Sequence, residues 1–204
     1  MNKQGNTYTF LYSVILVVVV AALLSIVSLS LQPRQDENRQ NEKRQNILSA
    51  IHIASTAETS AELFNKYIKE QFILNAKGEK IEGKAFDIDI AKEYKKAANE
   101  RELPVFVASV NDTTKYILPI YGAGLWGPIW GYISLDENKT TVYGTFFDHS
   151  GETPGLGAEI TTPKFNEPFK GKEIFSGEQL TSIRIIKGGN ASGSNEVDAI
   201  SGGT

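Results

Sequence analysis

The chain has 204 residues, with 21 Lys and Arg against 24 Asp and Glu, a net charge of −3 and no cysteine. The missing cysteines exclude disulfides, thiolate nucleophiles and cysteine-ligated iron–sulfur clusters. All but one of the basic residues follow position 31, as do all the acidic ones, and this mixed, mildly acidic surface argues against nucleic acid as a partner, which would call for a basic patch.

An apolar segment at residues 8–31 comes first and contains no charged side chain. A helix needs about 20 apolar residues to cross the bilayer core, so this segment is long enough to span it with some tilt. A cleaved signal peptide would have a shorter apolar region, roughly 7 to 15 residues, that ends in a small-residue cleavage site. We therefore predict an uncleaved, single-pass membrane helix within an N-terminal region at residues 1–31.

The charges that flank this segment leave its orientation open. Lys3 precedes it, whereas Arg34, Arg39, Lys43 and Arg44 follow it. A literal positive-inside count would place the following domain in the cytoplasm, but the rule weakens when a long domain follows. Acidic residues also accompany the basic ones, so charge alone does not decide the side.

The next part of the chain predicts helices. Residues 32–46 are polar and are expected to form a juxtamembrane stalk, in which Pro33 prevents the membrane helix from continuing unkinked. One domain is expected at residues 47–204. It would begin with an amphipathic helix and continue with a second helix capped by Ser60 and a solvated helical stretch at 92–101. The apolar positions of the two amphipathic helices are Ile47, Leu48 and Ile51, and then Leu63, Phe64, Tyr67, Ile68 and Phe72.

Beyond Leu103 the sequence is typical of strands. β-branched and aromatic runs are separated by turn residues, with hairpin turns predicted at 111–112 and 136–138, and a last strand at 183–186 precedes a loop at 188–195. Helices followed by closely spaced strands predict an α+β fold with a largely antiparallel sheet flanked by helices. The four main runs are residues 105–110, 116–121, 130–135 and 141–147.

Familiar catalytic patterns are missing from the sequence. No Gly-x-Gly-x-x-Gly follows a strand and opens a helix, and there is no Walker A sequence. His52 and His149 are the only histidines, and His52 has no neighbouring set of ligands, which favours a structural role over metal binding. We therefore predict no catalytic residue and no metal site.

Three short stretches are better suited to holding a planar aromatic ligand beside backbone amides. The first, Gly-Ala-Gly-Leu-Trp-Gly-Pro-Ile-Trp-Gly at 122–131, sets two tryptophans among glycines. In the second, His-Ser-Gly-Glu-Thr-Pro-Gly-Leu-Gly at 149–157, Pro154 and Gly155 predict a tight turn. The third, Asp-Ala-Ile-Ser-Gly-Gly-Thr at 198–204, ends in a threonine hydroxyl.

In this order, behind an N-terminal apolar segment, the three stretches resemble the C subunit of the sodium-translocating NADH:quinone oxidoreductase. The stretch at 122–131 resembles its Gly-x-Gly-Leu-Trp segment. The stretch at 149–157 resembles the Glu-Thr-Pro-Gly-Leu-Gly loop shared with the G subunit of the related Rnf complex. The stretch at 198–204 is similar to the flavinylation motif Asp-x-x-Ser-Gly-Ala-Thr. Gly203 stands where the family more often has alanine, and family members usually continue beyond the threonine, which favours a sequence truncated at Thr204.

The resemblance implies FMN bound covalently through a phosphoester to Thr204. A separate flavin transferase, using a metal ion and FAD as the FMN donor, would make the bond. Asp198 and Ser201 would then serve recognition or positioning, and Gly202 and Gly203 would leave room for the phosphate and offer it N–H donors.

The flavin pocket is expected to form from the other two stretches. Leu156 would pack on a ring face, Glu152 and Thr153 would hydrogen-bond the pyrimidine edge or the ribityl hydroxyls, and His149 is as consistent with the pocket as with a strand end. Trp130 is expected in the core. The remaining residues assigned to the pocket are Leu125, Trp126, Gly155 and Gly157.

The function implied is that of an electron-transfer subunit with no independent catalysis. It would be anchored in the cytoplasmic (inner) membrane with its flavin domain on the periplasmic, extracytoplasmic side, and its partners would be the other subunits of the complex. Two alternatives remain open. One is a G-type subunit of an Rnf ferredoxin:NAD+ oxidoreductase, and the other is a non-redox, single-pass scaffold subunit.

Overall fold

The computed structural model describes residues 5–200, and the chain divides between Glu42 and Lys43 into two compact units. The first helix, α1, spans Asn6–Ser49. It is the one helix of the described residues that is long and apolar enough to cross a bilayer.

Helix α1 is longer than the sequence predicts. It continues through Pro33, so the predicted stalk is helical, although proline removes one N–H donor from the hydrogen-bond ladder. The separate helix predicted from Ile47 is wrong. Ile47 and Leu48 lie in the last turn of α1, and Ile51 lies in the turn that follows.

Six antiparallel strands form the largest sheet of the second unit. The strands are β1 (Ile68–Leu74), β2 (Lys80–Ile81), β3 (Leu103–Val110), β4 (Thr113–Ala123), β5 (Pro128–Leu135) and β6 (Val142–His149). Their order across the sheet is β2-β1-β3-β4-β5-β6. The four runs predicted as strands correspond to β3 to β6, which confirms the α+β fold.

Both predicted hairpin turns are present. Asn111 and Asp112 join β3 to β4 with φ of 49° and 60°, a left-handed conformation that Asn and Asp tolerate better than most residues. Between β5 and β6 the Asn138 side chain accepts the backbone N–H groups of Thr140 and Thr141 at 3.0 and 3.1 Å. These bonds stabilise the second turn.

Two helical predictions are wrong in extent. Helix α2 spans Ser60–Tyr67 with Thr59 at its N-cap, and the chain then passes directly into β1. Ile68 and Phe72 are therefore strand residues, held by pairing with β3. In place of a helix at 92–101 there are α3 (Ile90–Glu93) and a 3₁₀ turn at Ala98–Glu100.

The end of α1 packs on one face of the sheet. The Oγ atom of Ser134 lies 2.5 Å from the carbonyl oxygen of Ala50 and 3.0 Å from that of Gly144. The ring of His52 bonds the carbonyl of Tyr143 at 3.1 Å. Residues from α1, α2 and the sheet form the core on this face, among them Ile47, Leu48, Ile51, Phe64, Phe106 and Ile117.

Short helical turns cover the opposite face: 3₁₀ turns at Gly157–Thr161 and Glu167–Phe169, with α4 (Pro163–Asn166) between them. Phe147 of β6 lies 5.5 and 5.1 Å, between ring centroids, from Phe165 and Phe169. A hairpin of β7 (Phe175–Ser176) and β8 (Gln179–Leu180) follows, and then the parallel pair β9 (Arg184–Ile186) and β10 (Glu196–Asp198). The strand predicted at 183–186 is thus confirmed.

Candidate functional site

The Gly-Leu-Trp stretch forms the tip of the hairpin between β4 and β5. The N–H of Gly124 donates to the carbonyl of Gly127 at 2.7 Å and closes the turn. Leu125 and Trp126, between these glycines, are each 70% exposed. The tip therefore presents two large apolar side chains to the surroundings, although apolar side chains usually stabilise a fold by burial.

Glu152 links this tip to the Glu-Thr-Pro-Gly-Leu-Gly loop. The Trp126 N–H donates to Glu152 Oε1 at 2.9 Å. The Glu152 N–H in turn donates to Nδ1 of His149 at 3.2 Å, and His149 is the last residue of β6, paired with Ile129. Glu152 is buried, with 8% of its surface exposed.

The tight turn predicted at Pro154 and Gly155 is present. The Leu156 N–H donates to the carbonyl of Thr153 at 3.1 Å, and Gly155 has φ of +74°, the conformation that a type II turn requires at its third position. Leu156 follows the turn and is half exposed. The loop then enters the 3₁₀ turn that begins at Gly157.

The third stretch begins at the end of β10. Val197 is buried and holds this strand in the core. Asp198 Oδ1 accepts the N–H of Ala191 at 2.8 Å, which ties the loop at 188–195 to the start of the stretch. Ser201, Gly202, Gly203 and Thr204 lie outside the described residues.

A pocket of about 480 Å³ lies between the second and third stretches. Its wall contains two carboxylates, from Glu159 and Asp198, the ammonium group of Lys164 and the ring of Phe165. The ammonium group can pair with an anionic group of a ligand, and the ring can contact a ligand ring. No sequence motif pointed to Glu159, Thr162, Lys164, Phe165 or Pro168, which the fold brings to this pocket. The lining residues are Gly155, Glu159, Thr162, Lys164, Phe165, Pro168, Asp198, Ala199 and Ile200.

A smaller apolar groove of about 150 Å³ runs along the sheet below the hairpin tip. Trp130, expected in the core, is half-buried and lines this groove, whereas Trp126 lines neither the groove nor the pocket. Phe147 lines the groove and contacts Phe165 of the pocket, so the two depressions share an aromatic boundary. The groove residues are Ile120, Tyr121, Gly122, Ile129, Trp130 and Phe147.

Comparison with known proteins agrees with this arrangement. Residues 124–204 match the FMN-binding domain family, and this match begins at the hairpin tip. The C subunit of the Na(+)-translocating NADH-quinone reductase from Haemophilus ducreyi is 30% identical, over all of this chain and 86% of the relative. The chain belongs to the family of that C subunit.

Its fold is that of solved members of the family. The crystal structure of the C subunit from Parabacteroides distasonis superposes with a TM-score of 0.79 at 46% identity, over 85% of both chains. The structure of Shewanella oneidensis NqrC gives 0.68 at 25% identity, over 81% of this chain and 85% of the other. The relatives named here are quinone reductase subunits, the first of the three interpretations that the sequence left open.

Proposed function

We propose that this chain is the FMN-carrying electron-transfer subunit of a membrane-bound, sodium-translocating NADH:quinone reductase. Family membership and the FMN-binding domain support the cofactor and the complex. FMN would supply the redox chemistry, while the chain would bind it, tune its potential and dock it to partners. The partners would be the other subunits, and the chain alone would catalyse no turnover.

We further propose a phosphoester between FMN and Thr204. The observation that carries this is the pocket, whose wall joins Gly155 of the loop to Asp198, Ala199 and Ile200. Four residues of extended chain reach on the order of 14 Å, so Thr204 is tethered within that distance of Ile200. A ligand attached there is within reach of the pocket.

The pocket suits the parts of FMN that lie nearest to the attachment point. Lys164 supplies a cation for a phosphodiester, and the Thr162 hydroxyl suits the ribityl chain. Phe165 and Pro168 offer an apolar wall to the ring. Leu125, Trp126 and Leu156 would cover the part of the ring that extends toward the hairpin tip and would exclude water from it.

Attachment would need a second protein. A threonine hydroxyl is a weak nucleophile at its free pKa, so a flavin transferase is proposed to activate it. Asp198 is held in place by the Ala191 N–H and, with Ser201, would present the segment to that enzyme.

The membrane topology is a further part of the proposal. Residues 1–31 would anchor the chain in the cytoplasmic membrane, residues 32–46 would form a helical stalk, and residues 47–204 would form the flavin domain on the extracytoplasmic side. The length and composition of α1 support the anchor.

The full chain, expressed in a host that contains the transferase, tests the attachment. We expect a fluorescent band on a denaturing gel and an intact mass increased by one FMN phosphoester. T204A should abolish both signals, and T204S, which keeps a hydroxyl, should retain part of them. A flavin-free wild-type chain, or covalent flavin on T204A, would contradict the phosphoester.

A further inference from the structure

The carboxylate of Glu152 is enclosed by backbone from two of the three stretches. The Trp126 N–H donates to Oε1 of Glu152 at 2.9 Å. The backbone N–H of Glu152 donates to Nδ1 of His149 at 3.2 Å. A hydrogen bond from an amide to a carboxylate is about twice as strong as one between neutral groups. The side chain therefore joins the hairpin tip to the loop across 26 residues of sequence.

Two glycines make room for this side chain. A Cβ atom added to Gly124 would overlap Glu152 Oε1, and one added to Gly157 would lie 2.7 Å from Oε2 and 3.1 Å from the Cβ of Glu152. Neither glycine has a positive φ, so backbone conformation does not require glycine there. The carboxylate of Glu152 is one reason for small residues here; at Gly124 the carbonyl oxygen of Gly127, at 2.9 Å from such a Cβ, is another.

We infer that Glu152 is a positioning residue that acts on bound FMN by holding the hairpin tip at Trp126. Its Oε1 atom accepts the Trp126 N–H, which holds the backbone that carries the indole beside the loop that carries Leu156. The part of this inference that concerns FMN rests on the function proposed above. The hydrogen bond between Glu152 and Trp126 does not depend on that function.

The first experiment measures this link without reference to the flavin. Methionine matches the length of glutamate but lacks a carboxylate acceptor, whereas glutamine keeps a carbonyl oxygen. In the full chain, E152M should speed hydrogen exchange at the Trp126 amide about tenfold or more, as expected for loss of a hydrogen bond to a charged group, and E152Q should restore most of the protection.

The matched control is Glu159, whose Oε1 accepts the Gly155 N–H at 3.1 Å in the same loop. E159M should leave exchange at Trp126 unchanged. Equal exchange in wild type and E152M would overturn the link. So would equally fast exchange in E159M, since a general loosening of the loop would then explain the result.

The second experiment measures the midpoint potential of covalent FMN in a double-mutant cycle. If Glu152 acts through the indole of Trp126, most of the shift caused by E152M should disappear when it is measured in a W126A background, which keeps the backbone N–H but lacks the ring. A shift of the same size in both backgrounds would show that Glu152 reaches the cofactor directly and would overturn the inference. Failure of the proposed phosphoester would appear separately, as a wild-type chain without flavin.

Discussion

The two faces of the central sheet differ in how completely they are covered. On the face that receives the end of α1, Ile47, Leu48, Ile51, Phe106 and Ile117 have no exposed surface. The opposite face is also packed, but it borders a 480 Å³ pocket and an open groove, beside a tip whose tryptophan is 70% exposed. Substitutions on the first face should therefore change the free energy of unfolding of the domain most, whereas the second face leaves apolar surface for a ligand.

The largest expected difference between the two faces is in the effect of replacing a buried leucine and an exposed leucine on the free energy of unfolding. Leu48 is fully buried at the end of α1, and Leu125 is 70% exposed at the tip. L48A should lower the free energy of unfolding by about 2–5 kcal/mol, because it deletes a core side chain and leaves a cavity. L125A should stay within about 0.5 kcal/mol of wild type.

Chemical denaturation of the detergent-solubilised full chain measures both leucine variants. Equal destabilisation would show that the tip is packed against something that the fold does not reveal. A neutral L48A would show that the end of α1 contributes little to the domain.

A smaller difference is expected between a glycine that is closely surrounded and one that has open space beside it. A Cβ on Gly144 would lie 2.6 Å from the carbonyl oxygen of Ala50 and 2.7 Å from Nε2 of His52, whereas one on Gly151 would meet no atom of residues 5–200 within 4 Å. G144A should cost about 1–3 kcal/mol through overpacking and G151A less than about 0.5 kcal/mol. Thermal unfolding of the two variants, measured side by side, checks this, and a larger loss in G151A would refute the contrast.

Substitutions on the ligand side should alter the flavin more than the fold. A tether contacts both redox states alike, so only surrounding groups favour one state over the other. W126A and L156A should therefore keep covalent FMN while changing its midpoint potential or electron-transfer rate, because loss of an apolar wall admits water. Redox titration measures this. Unchanged potential and rate in both variants would remove Trp126 and Leu156 from the pocket, and T204A is the control that lacks the cofactor altogether.

Much of the fold could be predicted from local pattern. Alternating β-branched and aromatic residues defined β3 to β6, and Asn111-Asp112 defined a hairpin turn, because these signals act between near neighbours. Helix ends were less predictable. Ile68 and Phe72 are spaced for a helix, yet pairing with β3 places them in a strand. Just after α1, the carbonyl oxygen of Ala50 accepts a hydrogen bond from Ser134, 84 residues away, a contact that periodicity cannot reveal.

The candidate site was predictable only where a motif marked it. Of the residues that the motifs marked, Gly155 and Asp198 line the pocket, whereas Trp126, Glu152 and Leu156 stay predictions; no motif marked Lys164 or Phe165, which reach the pocket because α4 folds back onto β6. Nor could spacing show that Glu152 accepts the Trp126 N–H. That bond forms because the hairpin tip between β4 and β5 and the loop after β6 lie at the same end of neighbouring strands.

The smallest expected effect concerns pH and Glu196, at the start of β10. Hydrogen bonds from the N–H groups of Gly193 and Ser192 lower the pKa of this carboxylate, and Arg184 at 3.2 Å adds to the effect. Because the folded state binds the proton less tightly than the unfolded chain does, the stabilisation is complete above the ordinary pKa of about 4.3. It is lost as the pH falls through the lowered value.

E196Q should therefore reduce the free energy of unfolding at neutral pH and flatten its decline as the pH falls below about 5. Since Ser192 and Gly193 of the loop at 188–195 donate to the Glu196 carboxylate, the same change should loosen this loop without affecting the Leu48 side of the sheet. Unfolding curves recorded across this pH range would show it. Parallel pH profiles for wild type and E196Q would mean that the carboxylate contributes nothing to stability.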